Sequence, residues 1–326
     1  MRSKIRNIVL FCIAMMVVAP MLFAGAKPEE KIKRYRFSTS NVGGTWYTMA
    51  GGINTIFNSE LGDRYMLDFI ASGGSVENTR RLALGEAEIT LSYGYHLYEA
   101  VNGTGILQGQ PSKKPTIMFE IYDSSIYFVA LKSSGITTMS DVQGKRVVLG
   151  PPGSGSTDNS RRVLESLGIT VQEQELAFAD GARAIQDGAA DVLGMSGHPS
   201  SGIIELANTR DIIVIPFSND EMDRIVKQTP FFTRGKIEAN AYKGQTEEVQ
   251  CPYFIVYLAA STDMSEQAVY DSLGVFFSPA GLSYLASVHS QFKPMREGKA
   301  GADAIGVPFH PGAIRFWNEN RDKLKR

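Results

Sequence analysis

The residues from Lys145 to Thr157, KRVVLGPPGSGST, come one position short of a nucleotide-binding loop. Val147-Val148-Leu149 reads as a buried strand feeding a Gly/Pro-rich turn, and Thr157 to Leu167 reads as a helix closed by Gly168. Gly150 and Gly155 hold the glycine positions of G-x-x-x-x-G-K-[ST], but Ser156 stands where that pattern needs lysine. The lysine supplies a point charge for the β- and γ-phosphates, and a hydroxyl cannot replace it. What is left is a glycine turn that aims backbone N–H groups and the positive end of a helix dipole at a ligand. Such a cradle suits one or two negative charges, as on a carboxylate, and not a triphosphate.

Three further turns carry similar chemistry: NVGGTWY (41–47), SGGSVEN (72–78) and SGHPSSG (196–202). A Ser or Thr beside Gly at one helix start marks no more than an N-cap. Three helix starts and one small-residue loop, spread over two similar stretches of chain, predict convergence on one cleft. Trp46, Tyr47, Tyr93, Tyr95 and Tyr253 accompany these turns and can either wall a pocket or pack the core. Tyr47, in the first turn after Gly43-Gly44, is the expected ligand contact among them.

Catalytic readings find little support. His96, His198, His289 and His310 are far apart in sequence and none has metal-ligand spacing. Gly194-Met195-Ser196-Gly197 only approximates a nucleophile elbow, and His198, with Ser196 and Ser200 beside it, reads best as a loop hydrogen-bonding residue. Cys251 precedes Pro252 with no histidine near it. No catalytic residue, metal or cofactor is expected.

Two stretches share one order of elements. The first, Tyr35 to Tyr93, reads strand (YRFSTS), glycine turn, helix, strand (YMLDFI), small-residue turn, helix from Val76 to Leu84, and strand. Met49, Ile53, Ile56 and Phe57 give its first helix one apolar face. The second, Lys145 to Ser196, repeats the plan with strands at QELAF and DVLGMS and a helix at ARAIQD. LGEAEITLS and DGAADVLGMS echo one another, each a helix C-cap followed by a short strand. Such alternation predicts parallel α/β sheets with right-handed crossovers, and ligands bind such sheets at the strand-exit edge. The β-branched runs Thr116 to Leu131 and Tyr253 to Ala259 read as two strands crossing between lobes. Helix is expected from Ser265 through Ala286 and again from Ala313.

Arg2, Lys4 and Arg6 precede an uncharged run, Asn7 to Ala26, that holds an apolar stretch from Ile8 to Ala19 and ends at Ala24-Gly25-Ala26. Residues 1–26 therefore read as a secretory signal peptide cleaved before Lys27, with an uncleaved N-terminal anchor as the alternative. Cys12 lies inside the apolar run and is poorly placed for lipid attachment. Cleavage leaves 300 residues and one cysteine, Cys251, so no internal disulfide can form and core burial must hold the chain. That length exceeds the usual single core and predicts two lobes. Without the three basic leader residues the 33 Lys and Arg become 30 against 34 Asp and Glu, a net charge near −4. Interspersed charge of that sign argues against nucleic acid or an anionic membrane surface as partner.

GGTWYTMAGGI, SGGSVENTRRLALGEAEITLS, DVQGKRVVLGPPGSGST and FHPGAIRFWNEN, in that order over residues 33–320, resemble the solute-binding (P) subunits of TAXI-type TRAP transporters, the tripartite ATP-independent periplasmic carriers. The resemblance implies an α/β, two-lobe periplasmic binding protein of Venus-flytrap, type II-like form, with two crossing hinge strands. Lobe 1 would take 27–128 and 254–326, and lobe 2 would take 129–253. It places first-lobe ligand contacts at Gly44, Tyr47, Ser72, Gly74 and Ser75. Second-lobe contacts fall at Ser154, Gly155, Ser156 and Thr157 and at the loop His198, Pro199, Ser200. It implies a glutamate-, glutamine- or 2-oxoglutarate-like ligand, coupling to a Na⁺ or H⁺ gradient, and a membrane partner of fused small and large components. Two positions depart from the pattern: Trp46, often Tyr in the family, and Ser92-Tyr93, where a Gln or Asp type is usual. The second departure removes the residue type expected to contact an α-amino group and leaves amino, keto and hydroxy acids all open. The expected function is thus a periplasmic capture receptor without catalysis. An exported sensor input for a signalling receptor is the alternative, and a degenerate enzyme comes third.

Overall fold

A computed structural model describes residues 32–42 and 44–324. The expected leader and its cleavage site lie outside the described residues. The chain starts with β1 (Lys33–Ser38), α1 (Thr45–Leu61), β2 (Tyr65–Ile70), α2 (Ser75–Leu84), β3 (Ile89–Tyr93) and α3 (Gly94–Asn102). The face of α1 made by Met49, Ile53, Ile56 and Phe57 is buried, as its spacing requires. Gly85 ends α2 in the left-handed region at φ 79°, where its N–H reaches the carbonyls of Arg81 and Leu82. β1 lies between β2 and β3, parallel to both.

β4 (Pro115–Leu131) leads into the repeat: β5 (Arg146–Val148), α4 (Gly155–Leu167), β6 (Gln172–Gln174), α5 (Phe178–Gln186) and β7 (Val192–Ser196). β5 again lies between its two successors, parallel to both. The order β2-β1-β3 recurs as β6-β5-β7, so the sequence echo is a repeat of topology. The chain continues through α6 (Ser201–Thr209), β8 (Ile212–Val214), α7 (Asn219–Gln228), β9 (Thr233–Ile237) and β10 (Val249–Ser261). It closes with α8 (Glu266–Phe276), α9 (Pro279–Val288), α10 (Lys299–Ile305) and α11 (Pro311–Asn320).

β4 and β10 join the halves. They pair antiparallel from Pro115–Ser261 to Ser125–Tyr253, and β10 also pairs with β3. Beyond Ser125, β4 changes partner and pairs with β7 over Ile126–Ala130, so one strand serves both sheets. From Thr116 to Ala130 only Asp123 is exposed, which accounts for the near-continuous apolar run. The chain end packs back on the N-terminal elements: α8 packs on α1 and α11, and Trp317 donates its Nε1–H to the Met118 carbonyl at 3.0 Å. Cys251 is buried and unpaired.

Four local expectations shift. The strand expected at QELAF lies earlier, at Gln172–Gln174, and Phe178 instead opens α5, whose Gly181, Ala182 and Ile185 are buried. The helix expected without a break from Ser265 to Ala286 is two helices. Ser278 accepts the Gly281 N–H and Pro279, lacking an N–H, starts a new first turn. α4 begins at Gly155 and not Thr157, because Ser154 is its cap, and α2 begins one residue before Val76.

Candidate ligand-binding site

The starts of α2 and α4 meet. A Cβ on Gly73 would lie 2.7 Å from the Pro152 carbonyl oxygen, and one on Gly74 would lie 3.5 Å from the Ser154 Cα. Gly74 has φ 125°, a conformation open to glycine and strained for other residues. A Cβ on Gly155 would sit 2.1 Å from Cε2 of Tyr93, so the first residue of α4 rests on the last residue of β3 with no room for a side chain. Two helix N-termini, each with first-turn N–H groups that have no intrahelical acceptor, thus abut one another.

The hydroxyls at these turns are not equivalent. Ser72 donates to Asn78 Oδ1 at 2.6 Å and accepts the Gly74 N–H, while Glu77 Oε2 takes the Gly73 N–H. Ser75 Oγ accepts the Tyr93 N–H at 2.9 Å and lies 2.8 Å from Nδ1 of His96. Ser154 Oγ caps α4 by accepting the Thr157 N–H at 3.2 Å, and the Thr157 hydroxyl donates to the Pro151 carbonyl at 3.0 Å. Ser156 differs: it is 3% exposed and its Oγ has no partner. An unpartnered buried hydroxyl costs free energy unless a ligand completes it.

Tyr93 is the wall between the lobes. Its ring lies 5.3 Å from Trp46, 4.3 Å from Phe254 and 5.5 Å, stacked, from His96. Its hydroxyl lies near Ser196, and burial pushes the phenol far above its usual range, so it stays protonated. Ser196 Oγ accepts from Asn159 Nδ2 on α4. Trp46 is buried and donates Nε1–H to the Tyr122 hydroxyl at 2.8 Å.

The other expected contacts stand around this centre. Gly44 caps α1, and Tyr47, half-buried, rests its ring edge-on against Phe69 at 5.2 Å. His198 Nδ1 is 2.7 Å from Ser125 Oγ, and burial lowers its pKa, favouring the neutral ring. A cis peptide joins His198 to Pro199, and the Ser200 N–H donates to the Tyr242 hydroxyl at 3.1 Å. Of the first-lobe candidates, Gly74 lies against Ser154 and Gly155 of the second turn, with Gly73 beside it against Pro152 and Gly153; Ser72 and Ser75 bond within their own half. The 198–200 loop joins them through Ser196 and Tyr93, and Gly44 and Tyr47 join them through Trp46.

Spacing alone left the histidines isolated; the fold does not. His96 is fully buried, and its Nε2 lies 3.1 Å from Asp158 Oδ2. The same oxygen accepts the Tyr95 hydroxyl at 3.0 Å and Arg162 Nε at 2.6 Å. Arg162 also reaches Glu99 Oε1 at 2.6 Å and covers the Tyr95 ring at 4.7 Å. Burial by itself would raise the Asp158 carboxyl, but the hydrogen bond from His96 and the charge of Arg162 outweigh it and hold the group well below the usual carboxylate range. Sequence reasoning missed this cluster. Its signals were His96 and Glu99 one turn apart on α3, and Asp158 and Arg162 one turn apart on α4. Nothing local says that the two pairs meet.

Among the described residues no group of three or more His, Cys, Asp or Glu is placed to hold a metal, and no helix is long and apolar enough to cross a membrane. A surface cavity of about 470 Å³ between α1 and the α8–α9 corner, lined by Ile56, Val275 and Tyr284, lies apart from the candidate residues.

The sequence model of the NMT1-like family matches residues 37–320. MatC from Rhodopseudomonas palustris, solved with bound malate, is similar in structure at a TM-score of 0.55 and 13% identity, over 90% of this chain and 99% of that one. A protein of Bordetella bronchiseptica gives 0.50 and 13%, over 90% of each chain. The periplasmic aliphatic sulphonate binding protein SsuA from Escherichia coli gives 0.41 and 14%, over 89% of this chain and 84% of that one. The fold is the mixed α/β fold of periplasmic solute-binding proteins.

Proposed function

The chain belongs to the NMT1-like family, and from that premise we propose that it is the substrate-capture receptor of a TRAP-type carrier. It is exported to the periplasm after loss of residues 1–26. There it closes two lobes over a small carboxylate and presents it to a membrane component. The observation that carries this reading is Ser156: a buried, unpartnered hydroxyl at the N-terminus of α4, against the start of α2. Two helix dipoles and a free hydroxyl stabilise one anionic group without a lysine. Two arginines of the helices that these turns start are committed, Arg162 to Asp158 and Glu99, and Arg81 to Glu77.

The receptor performs no chemistry on its ligand. Ser75, His96 and Asp158 line up as a hydroxyl, an imidazole and a carboxylate, but the Ser75 oxygen is enclosed by the Tyr93 N–H at 2.9 Å, His96 Nδ1 at 2.8 Å and Ser92 Oγ at 3.4 Å. A nucleophile needs a free, reachable lone pair. The mechanism is a population shift, in which ligand touching both lobes favours the closed form.

Calorimetry tests the reading with C4–C6 mono- and dicarboxylates and ATP, on wild type and Ser156→Ala. Losing a hydrogen bond to a charged group costs about 1.5–3 kcal/mol, roughly 10- to 150-fold in Kd. Micromolar ATP binding by wild type, with unchanged carboxylate binding in the variant, would overturn it.

A further inference from the structure

We infer that His96 is a positioning residue that couples closure of the lobes to the ligand-binding turn at the start of α2. His96 belongs to the first lobe, following β3, and Asp158 to the second, on α4. The carboxylate only accepts hydrogen bonds, so Nε2 carries the proton that points at Asp158. Ser75 Oγ has one proton and already accepts the Tyr93 N–H. The nearest place for that proton is His96 Nδ1 at 2.8 Å, since Ser92 Oγ is 3.4 Å away. The chain of donors therefore runs in one direction: Ser75 hydroxyl to Nδ1, Nε2–H to Asp158. When the second lobe closes, Asp158 fixes the ring and its tautomer, and the ring fixes Ser75 at the first residue of α2.

The surroundings make this a link between lobes. Arg162 of α4 spans to Glu99 of α3, and Tyr95 and Tyr98 of α3 meet Phe231 of the second lobe at 6.4 and 4.9 Å between ring centres. Opening the lobes would separate all of these contacts together. The inference rests on the two-lobe closure proposed above and does not depend on the identity of the ligand.

The test compares wild type, His96→Phe and His96→Gln by small-angle scattering without ligand, and by calorimetry with 2-oxoglutarate as the probe. Phe fills the site and breaks both hydrogen bonds, whereas Gln can still accept from Ser75 and donate to Asp158. The expected result is a larger radius of gyration for His96→Phe and a return to the wild-type radius for His96→Gln. Affinity for 2-oxoglutarate should follow the same order, with a loss of about tenfold or more in the Phe variant. Equal radii for wild type and His96→Phe would overturn the inference, because a merely structural histidine lowers the unfolding midpoint without opening the lobes. Should His96→Phe not fold, Asp158→Leu takes its place and removes the acceptor that Nε2–H needs at similar volume; a radius equal to that of wild type would again overturn the inference. A wild type that does not bind 2-oxoglutarate counts against the carboxylate reading alone, and the radii then decide the role of His96. Nitrogen chemical shifts of His96 add a readout of the ring: the expected signature is a protonated Nε2 and a bare Nδ1, and the reverse tautomer overturns the proposed direction of the chain.

Discussion

The turn at 72–75 and the turn at 151–157 use the same residue types, yet they end in opposite hydrogen-bonding states. In the first, the hydroxyls of Ser72 and Ser75 and the N–H groups of Gly73 and Gly74 all have protein partners. In the second, Ser154 and Thr157 are spent on the cap, while Ser156 stays buried with its oxygen free. The first turn is a finished wall that offers only backbone N–H groups and a dipole. The second keeps a side chain in reserve. Equal composition therefore does not mean equal function: what a turn can bind is what its own fold leaves unsatisfied.

The largest effect should come from the contact between the lobes. Gly155→Ala puts a Cβ 2.1 Å from a Tyr93 ring that Trp46, Phe254 and His96 already enclose. Either the ring shifts or the lobes fail to close. Overpacking of about 1–3 kcal/mol falls on the closed form, which predicts about 5- to 150-fold weaker ligand binding with an almost unchanged urea midpoint. Gly73→Ala, whose Cβ would meet the Pro152 carbonyl at 2.7 Å, should act in the same direction and less strongly. Normal affinity in both variants would show that the two turns do not need to touch.

The comparison is sharpest at its two hydroxyls. Ser75→Ala strands the Tyr93 N–H and the His96 ring in a buried place, at a cost of about 1–3 kcal/mol of stability. Ser156→Ala strands nothing, so stability should hold or rise slightly while binding weakens. Urea unfolding of the two variants side by side checks the contrast. Equal destabilisation would mean that Ser156 has a protein partner after all, and the difference between the turns would disappear.

The α/β plan was legible because it is written in local patterns. A repeated strand–turn–helix order, helix stops at Gly85 and Gly168, and two long β-branched runs are each readable within about fifteen residues and imply parallel α/β units, whereas the strand order and the antiparallel pairing of β10 with β3 and β4 with β7 are set by tertiary contacts. The turns of the candidate site were legible for the same reason. Which hydroxyl is free was not. Ser154, Ser156 and Thr157 are alike in the sequence, and only the register of α4 sends two into the cap and leaves one out. Likewise Ser75, His96 and Asp158 come from three separate elements, and their meeting is a tertiary fact with no local trace. The missed break at Ser278-Pro279 is of another kind: proline at a first helical position was readable, but the apolar pattern ran through it.

The smallest effect tests the cap itself. Ser154 Oγ accepts the Thr157 N–H and lies 3.0 Å from the Thr157 hydroxyl, so its work is to hold the first turn of α4. Ser154→Ala removes an acceptor from a helix start that is 95% buried at that residue. Loss of such a cap costs about 0.5–2 kcal/mol, whereas Ser154→Gly costs only a few tenths. If the turn only needs its backbone in place, ligand affinity should fall less in Ser154→Ala than in Ser156→Ala, and Ser154→Gly should be near wild type in both stability and binding. If instead Ser154→Gly binds as poorly as Ser156→Ala while its urea midpoint is unchanged, then Ser154 touches ligand directly. The second turn would then hold two working hydroxyls, and its contrast with the first turn would be larger than its hydrogen bonds in this structure imply.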